Sequence, residues 1–177
     1  MIESVGKCMA SLIHELLDIL KEEQACYEEI LACSKEKTEY IIEGDTNSLQ
    51  ILTTTEQSLT GRAFQLGKKR ETILEDMAIV LGQDPRTLQL TFLIQKMNNM
   101  PKEQEQLQNL QKQLTTLMGE LKQINEQNGQ LLKQSLEFID FTVRALQSQH
   151  SGAGLSLYEK QGQTTDYEGH NFFDRKQ

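Results

Sequence analysis

Apolar side chains recur every three or four residues through most of the chain, which predicts long amphipathic helices rather than strands. The first such segment covers about residues 4–43, and no proline interrupts it. After a break at Gly44-Asp45, the same spacing returns over about residues 46–81. Because a short connection between two long helices makes them antiparallel neighbours, these segments are predicted to form a helical hairpin.

Two more helices are predicted in the second half of the chain. Asp84-Pro85 is typical of the N-cap and first residue of a short third helix, which Asn98-Asn99-Met100-Pro101 is expected to end. A last long helix follows over about residues 102–149, and the remainder is rich in Gly, Ser and Gln without any period. The predicted fold is therefore all-α: an elongated antiparallel helical bundle or coiled coil of three long helices and one short one. Residues 1–149 form the helical domain and residues 150–177 a disordered, flexible tail.

Four charged residues interrupt the apolar seams of the first two helices. Residue numbers at one level of an antiparallel pair add to a constant, and both Glu23 with Arg70 and Lys37 with Glu56 add to 93. We therefore expect two cross-helix ion pairs that fix the register of the hairpin. The alternative is that each long side chain reaches water separately.

The last helix carries more apolar surface after Asn128 than one seam needs. The original seam turns polar there, and a second one begins a residue away. Their side chains cover an arc of roughly 160°, widened further by Phe141, whereas a helix packed on one side needs about 100°. Either three other helices surround this segment, or the surface is left for a partner helix. The residues concerned are Leu131, Leu132, Leu136, Phe138, Ile139, Phe141, Val143 and Leu146.

Composition and charge narrow the possible functions. Only 37% of residues are hydrophobic and 6% aromatic, which suits narrow seams between helices better than a thick core. The net charge of −8, with no concentration of Lys or Arg, argues against nucleic-acid binding. No apolar run is long enough for membrane insertion, and residues 1–4 do not resemble a signal peptide. Cys8, Cys26 and Cys33 are expected to be reduced thiols in a core or seam, so the predicted location is cytoplasmic.

The sequence offers no candidate for catalysis. His14-Glu15-Leu16-Leu17-Asp18 comes close to a zinc-binding helix motif, but Asp18 stands where the second histidine ligand is required. The other two histidines, His150 and His170, fall in the predicted tail region. No phosphate-binding loop or nucleophile motif occurs, so no enzyme activity, cofactor or metal is predicted.

Several short segments, in their order and spacing, resemble the FlgN family of flagellar export chaperones over about residues 8–147. The most telling is the pattern Leu-x-x-Ile-Asn-x-x-Asn-x-x-Leu-Leu at residues 121–132, within a matching run over residues 124–138. The other matching features are Leu16-Leu17, Glu23, Tyr27, Lys37, Gly44-Asp45, Leu49, Glu56 and Lys69-Arg70.

This resemblance implies a cytosolic chaperone for the hook–filament junction proteins FlgK and FlgL. Such a chaperone shields the assembly-prone terminal helices of its clients, prevents premature assembly and delivers the clients to the flagellar export gate. In the family, the C-terminal helix contacts the client, which here corresponds to about residues 131–146. The alternative is a structural coiled-coil scaffold or a self-associating helical protein without client specificity. A homodimer of the free protein stays open.

Overall fold

The computed structural model describes residues 2–84, 88–97 and 99–155. Within these ranges nearly every residue is helical and no strand occurs, which confirms the predicted all-α fold with three long helices and one short one. The predicted tail lies outside the described residues from residue 156 onward. The helices are α1 (Ile2–Glu43), α2 (Thr46–Leu81), α3 (Leu90–Lys96) and α4 (Pro101–Leu155).

The chain divides into two compact units, residues 1–134 and residues 135–177. α4 crosses this boundary as one helix, so the first unit contains α1, α2, α3 and the larger part of α4. The packing described next belongs to the first unit.

Two glycines end the first two helices in the left-handed region, as their sequence positions predict. Gly44 has φ +71° and Gly82 has φ +63°, values that cost glycine little because it lacks a Cβ. Asp45 then begins α2, since its Oδ1 accepts hydrogen bonds from the backbone N–H groups of Asn47 and Ser48, both at 3.1 Å. The hairpin turn is thus determined by two adjacent residues.

Two apolar clusters hold α1, α2 and α4 together. In both clusters α4 meets successive parts of α1 in the same chain direction, so α4 runs parallel to α1 and antiparallel to α2. The first cluster joins α3 to the ends of the long helices: Ile13, Leu16, Leu17, Leu20, Met77, Ala78, Leu88, Leu93, Ile94, Met97, Leu107 and Leu110. The second lies further along α1: Cys26, Ile30, Leu31, Ala63, Leu66, Leu117 and Leu121.

The prediction for the start of the third helix was wrong. Asp84 is not helical, residues 85–87 lie outside the described ranges, and α3 begins only at Leu90. Leu88 precedes α3 and is buried in the first cluster, so this apolar residue anchors a non-helical connection. Periodicity alone cannot separate a buried loop residue from a helical one.

The helix that follows α3 begins close to where the sequence places it. Pro101 is the first residue of α4, where its missing N–H removes no helical hydrogen bond. The side-chain nitrogen of Gln104 donates to the backbone oxygen of Ile94 at 2.7 Å, so the new helix satisfies a terminal carbonyl of α3. At its other end α4 continues to Leu155, beyond the predicted Gln149, because helix ends are weakly encoded.

Acidification is expected to weaken the start of α2. Hydrogen bonds from the Ser48 hydroxyl and backbone hold the pKa of the Asp45 carboxyl below its ordinary value of 3.8. A lowered folded-state pKa means that the stabilisation is complete above that ordinary value and disappears as the pH falls through the folded-state pKa. Urea unfolding should therefore give the native chain a larger free energy of unfolding than Asp45→Asn near neutral pH, and this difference should narrow below about pH 4. A difference in free energy that does not change with pH would contradict this prediction.

Candidate functional site

Most of the eight residues predicted to bind a partner are exposed on α4. They form what we call the apolar face: Leu131, Leu132, Leu136, Phe138, Ile139, Phe141, Val143 and Leu146. Leu131 is half-buried and Leu132 is 38% exposed. The exposed fraction of the other six ranges from 45% at Val143 to 70% at Phe138. These values do not agree with the alternative in which three helices surround this part of α4.

The apolar face covers roughly 220° of the circumference of α4, because Phe141 widens the arc to the side opposite Leu132. Five of its residues form what we call the main stripe: Leu132, Leu136, Ile139, Val143 and Leu146. They follow a spacing of four and three, which at 100° per residue confines them to roughly 80°. On the other side of the helix, Arg144 Nη2 lies 2.7 Å from Asp140 Oδ2, an ion pair within one turn. The charged side of this segment is thus paired along the helix while its apolar side meets solvent.

A buried group of polar residues connects all three long helices where α1 nears its end. We call it the polar layer: Ser34, Lys37 and Thr38 from α1, Glu56 from α2 and Asn128 from α4. Asn128 Nδ2 donates to the backbone oxygen of Ser34 at 2.7 Å, and the Thr38 hydroxyl donates to Asn128 Oδ1 at 2.7 Å. The Ser34 hydroxyl donates to Glu56 Oε1 at 3.1 Å. Since α1 ends at Glu43, it has only about one helical turn left beyond Thr38 to offer α4.

Both pairs of charged residues expected from the sequence lie together. Arg70 Nε is 3.0 Å from Glu23 Oε1, and the Glu23 side chain is only 3% exposed. Lys37 forms an ion pair with Glu56 inside the polar layer. A buried carboxylate without a partner is costly, so the contact with Arg70 compensates the burial of Glu23. That these pairs fix the register stays a prediction.

Sequence reasoning missed the polar layer as a unit. Ser34 and Asn128 were each visible as polar breaks in an apolar seam, but nothing in the pattern showed that α4 runs parallel to α1. Once α4 is known to run parallel to α1, Ser34 and Asn128 fall opposite each other. The sequence signal for this contact would have been a search for polar seam positions that match between helices that are not consecutive in the chain. No buried side-chain nitrogen or oxygen in the described residues lacks a hydrogen-bond partner.

The three cysteines occupy three different environments. Cys26 is buried, its thiol lies 3.4 Å from the backbone oxygen of Leu59, and burial raises its pKa. Cys33 is half-buried, and burial raises its thiol pKa as well. Cys8 is exposed, so the expectation of a core or seam position was wrong for this residue. The amphipathic pattern near the start of α1 is too loose to place one cysteine on either side.

The described residues contain neither a metal-binding cluster nor a membrane-spanning helix. No group of three or more His, Cys, Asp or Glu side chains there is arranged to hold a metal ion. None of the helices described combines the length and the apolar character needed to cross a membrane.

The fold and the apolar face together define an all-α protein with a large exposed apolar surface on its last helix. Comparison with known proteins gives the family: residues 9–166 match the family model described as "FlgN protein". The chain belongs to the FlgN family of flagellar export chaperones. It is also 29% identical over 131 residues to "Uncharacterized protein YvyG" of Bacillus subtilis (strain 168), covering 74% of this chain and 78% of that one. No solved structure gives a significant match.

Glu23 and Arg70 are expected to stabilise the hairpin as a coupled pair. Arg70→Ala should cost about 1–2 kcal/mol, since it leaves the buried Glu23 carboxylate without its partner, and Glu23→Ala should cost less, because the Arg70 side chain is 39% exposed and can bind water. The double variant should cost less than the two single losses combined, with a coupling of about 0.5 kcal/mol or more by chemical denaturation. Glu29 and Arg62 provide a matched control, because that cross-helix pair is half-exposed and its coupling should stay below about 0.5 kcal/mol. Equal coupling in both pairs would refute a special contribution of the buried pair.

Asn128 is expected to stabilise the association of α4 with α1. Asn128→Ala removes a donor and an acceptor from the buried polar layer and should lower the free energy of unfolding by about 1–2 kcal/mol. Asn125→Ala is the control, because it makes the same gain in helix propensity at an exposed position on the same helix. Equal stability of the two variants in urea would show that the polar layer contributes nothing.

Proposed function

We propose that this chain is a cytoplasmic chaperone that binds the hook–filament junction proteins FlgK and FlgL through its apolar face. Binding keeps the unassembled clients from associating prematurely and brings them to the flagellar export apparatus. The observation that carries the proposal is the exposure of six large apolar side chains on α4 between Leu136 and Leu146. Contiguous apolar surface of this kind is typical of protein–protein interaction sites.

The partner surface is expected to be helical. The apolar face lies on an α-helix whose backbone groups bond to one another, so it offers no strand edge for an extended peptide. Its main stripe has the spacing of a seam between two packed helices. Terminal helices of the clients, which the family resemblance implies as the shielded segments, fit this requirement.

The charges around the apolar face fit a protein partner better than a lipid surface. A helix that lies on an anionic membrane carries mainly Lys and Arg on its polar side. Here the two basic residues Lys133 and Arg144 are matched in number by Glu137 and Asp140, and Arg144 is paired with Asp140. The polar side therefore has no excess of positive charge to attract anionic lipid.

Self-association is the competing function. The same 4-3 spacing would let two copies pair through their apolar faces, as in a coiled-coil scaffold. Sedimentation distinguishes the chaperone from the scaffold. A chaperone is a monomer or a concentration-dependent dimer, which is replaced by a chaperone–client complex when clients are added. A scaffold forms stable higher assemblies with or without clients.

Charged substitutions in the apolar face should abolish client binding and leave the fold intact. Leu136→Asp with Ile139→Asp places two carboxylates in the centre of the main stripe, and a loss of about 30-fold or more in affinity is expected for FlgK and FlgL. Calorimetric titration gives the affinities, and circular dichroism should show helix content largely kept, since both side chains are exposed.

The matched control is the double variant Gln113→Asp with Thr116→Asp, which adds two carboxylates with the same spacing at exposed positions of α4, well before the apolar face begins at Leu131. It should leave client affinity within about three-fold of the native value, the change expected at a site outside the contact. Full client binding by the Leu136→Asp, Ile139→Asp variant would move the contact to another part of the chain.

A further inference from the structure

A groove of about 940 Å³ lies between α2 and α4, with side chains of α1 as its floor. α1 packs against both helices, but α2 and α4 do not close over it. The apolar part of the lining comes chiefly from Tyr27, Ile30, Phe64, Leu74, Met118 and Leu121. Phe64 is 61% and Met118 48% exposed at the mouth of the groove. The mouth therefore has exposed large apolar side chains, as the apolar face does.

The groove continues towards the polar layer. A second cavity of about 410 Å³ shares Ile30, Thr60 and Asn125 with the first and reaches Lys37 and Glu56. From Glu75 at one end to Glu56 at the other, the α2 wall covers about 28 Å at 1.5 Å per residue. A helix of about five turns spans that distance.

Two lysines stand diagonally across the mouth. On α2, Lys68 lies one turn from Phe64, with its Nζ 4.8 Å from the centre of the Phe64 ring. On α4, Lys122 lies one turn from Met118. α2 and α4 are antiparallel, and Glu56 and Asn128, which both bond to Ser34, have residue numbers that add to 184. Phe64 with Lys122 and Lys68 with Met118 each add to 186, so each lysine lies near the level of the apolar residue on the other helix.

We propose that this groove binds an amphipathic helix of a partner protein that carries acidic residues beside its apolar stripe. Both walls are helices without free backbone groups, so a strand would leave its own donors and acceptors unpaired, whereas a helix would not. A fourth helix would cover Phe64 and Met118 and complete a four-helix arrangement.

The charges select an acidic helix. Lys68 and Lys122 flank the middle of the groove from opposite walls, where they meet carboxylates on either side of a central apolar stripe. The partner of Lys122 on its own helix, Glu126, is 4.0 Å away and exposed, and such pairs compete weakly. Glu71 and Glu75 line one end and favour basic residues there, which gives the bound helix a direction. Elsewhere the net charge of −8 repels an acidic helix, which restricts it to this groove.

This inference does not rest on the proposed client contact. The groove is lined by residues between Tyr27 and Asn125, all within the first unit, whereas the apolar face begins at Leu131. The Leu136→Asp, Ile139→Asp variant should bind the groove's partner helix with unchanged affinity, so either proposal can fail without the other.

Two synthetic helices test the charge preference on the full-length chain. Each peptide has about eighteen residues, which matches the length of the groove. Its leucines are separated alternately by three and by four residues, so that they form one apolar stripe along the helix. One has glutamate at the flanking positions and the other lysine. Calorimetry should show the glutamate peptide binding about ten-fold tighter or more, although the net charge of the chain favours the lysine peptide.

Charge reversal should invert that preference. Lys68→Glu with Lys122→Glu should make the lysine peptide the tighter ligand, and both sites are exposed, so the fold is expected to persist. Lys102→Glu with Lys112→Glu makes the same change in net charge at exposed sites outside the groove and should keep the native preference. Gly67→Leu should block both peptides by filling the groove, where a Cβ meets only Glu23 Oε1 at 3.8 Å.

Three outcomes would overturn the proposal. Equal binding of both peptides, or binding of neither at millimolar concentration, would show that the groove does not select an acidic helix. An unchanged preference in Lys68→Glu, Lys122→Glu would place the peptide elsewhere. If instead this double substitution abolished a concentration-dependent dimer seen by sedimentation, the occupant would be a second copy of the chain.

Discussion

The three long helices depend on narrow seams of leucine and isoleucine, and such seams leave register poorly determined. Sliding one helix past another by a heptad still brings one apolar side chain against another at many seam positions, so the apolar contacts alone discriminate weakly between registers. Polar side chains inside the seam remove this freedom, because any slip buries them without partners. Glu23 contacts Arg70, and Asn128 bonds to Ser34 and Thr38, inside these seams. We propose that these polar contacts favour one arrangement of α1, α2 and α4 over its neighbours.

The pairing of α1 with α2 could be worked out from the sequence because one short turn connects them. A fixed turn converts residue numbers into levels, so four charged residues sufficed to match Glu23 with Arg70 and Lys37 with Glu56. No short turn connects α2 to α4, since α2 ends at Leu81, α4 begins at Pro101 and α3 lies between them. The contact between Ser34 and Asn128, and the groove between α2 and α4, therefore emerged only from the structure.

The excess apolar surface of α4 was also readable in advance, because it is a property of one helix alone. Counting apolar side chains around α4 shows more than a single seam uses, whatever its neighbours are. The count could not show whether other helices cover the excess. The exposure of Phe138, Phe141 and their neighbours supplies that fact. The sequence thus shows how much apolar surface a helix carries, and only the structure shows how much of that surface stays exposed to solvent.

Uncovered side chains on α4 bear on the amount of free protein that a cell can hold. Apolar patches of this size promote aggregation, and the net charge of −8 opposes it by mutual repulsion of the molecules. Salt screens that repulsion beyond about 8–10 Å at physiological ionic strength but leaves the apolar attraction in place. Under the proposed client binding, copies without a client are the aggregation-prone form of the protein, and synthesis in proportion to the clients would keep that form rare.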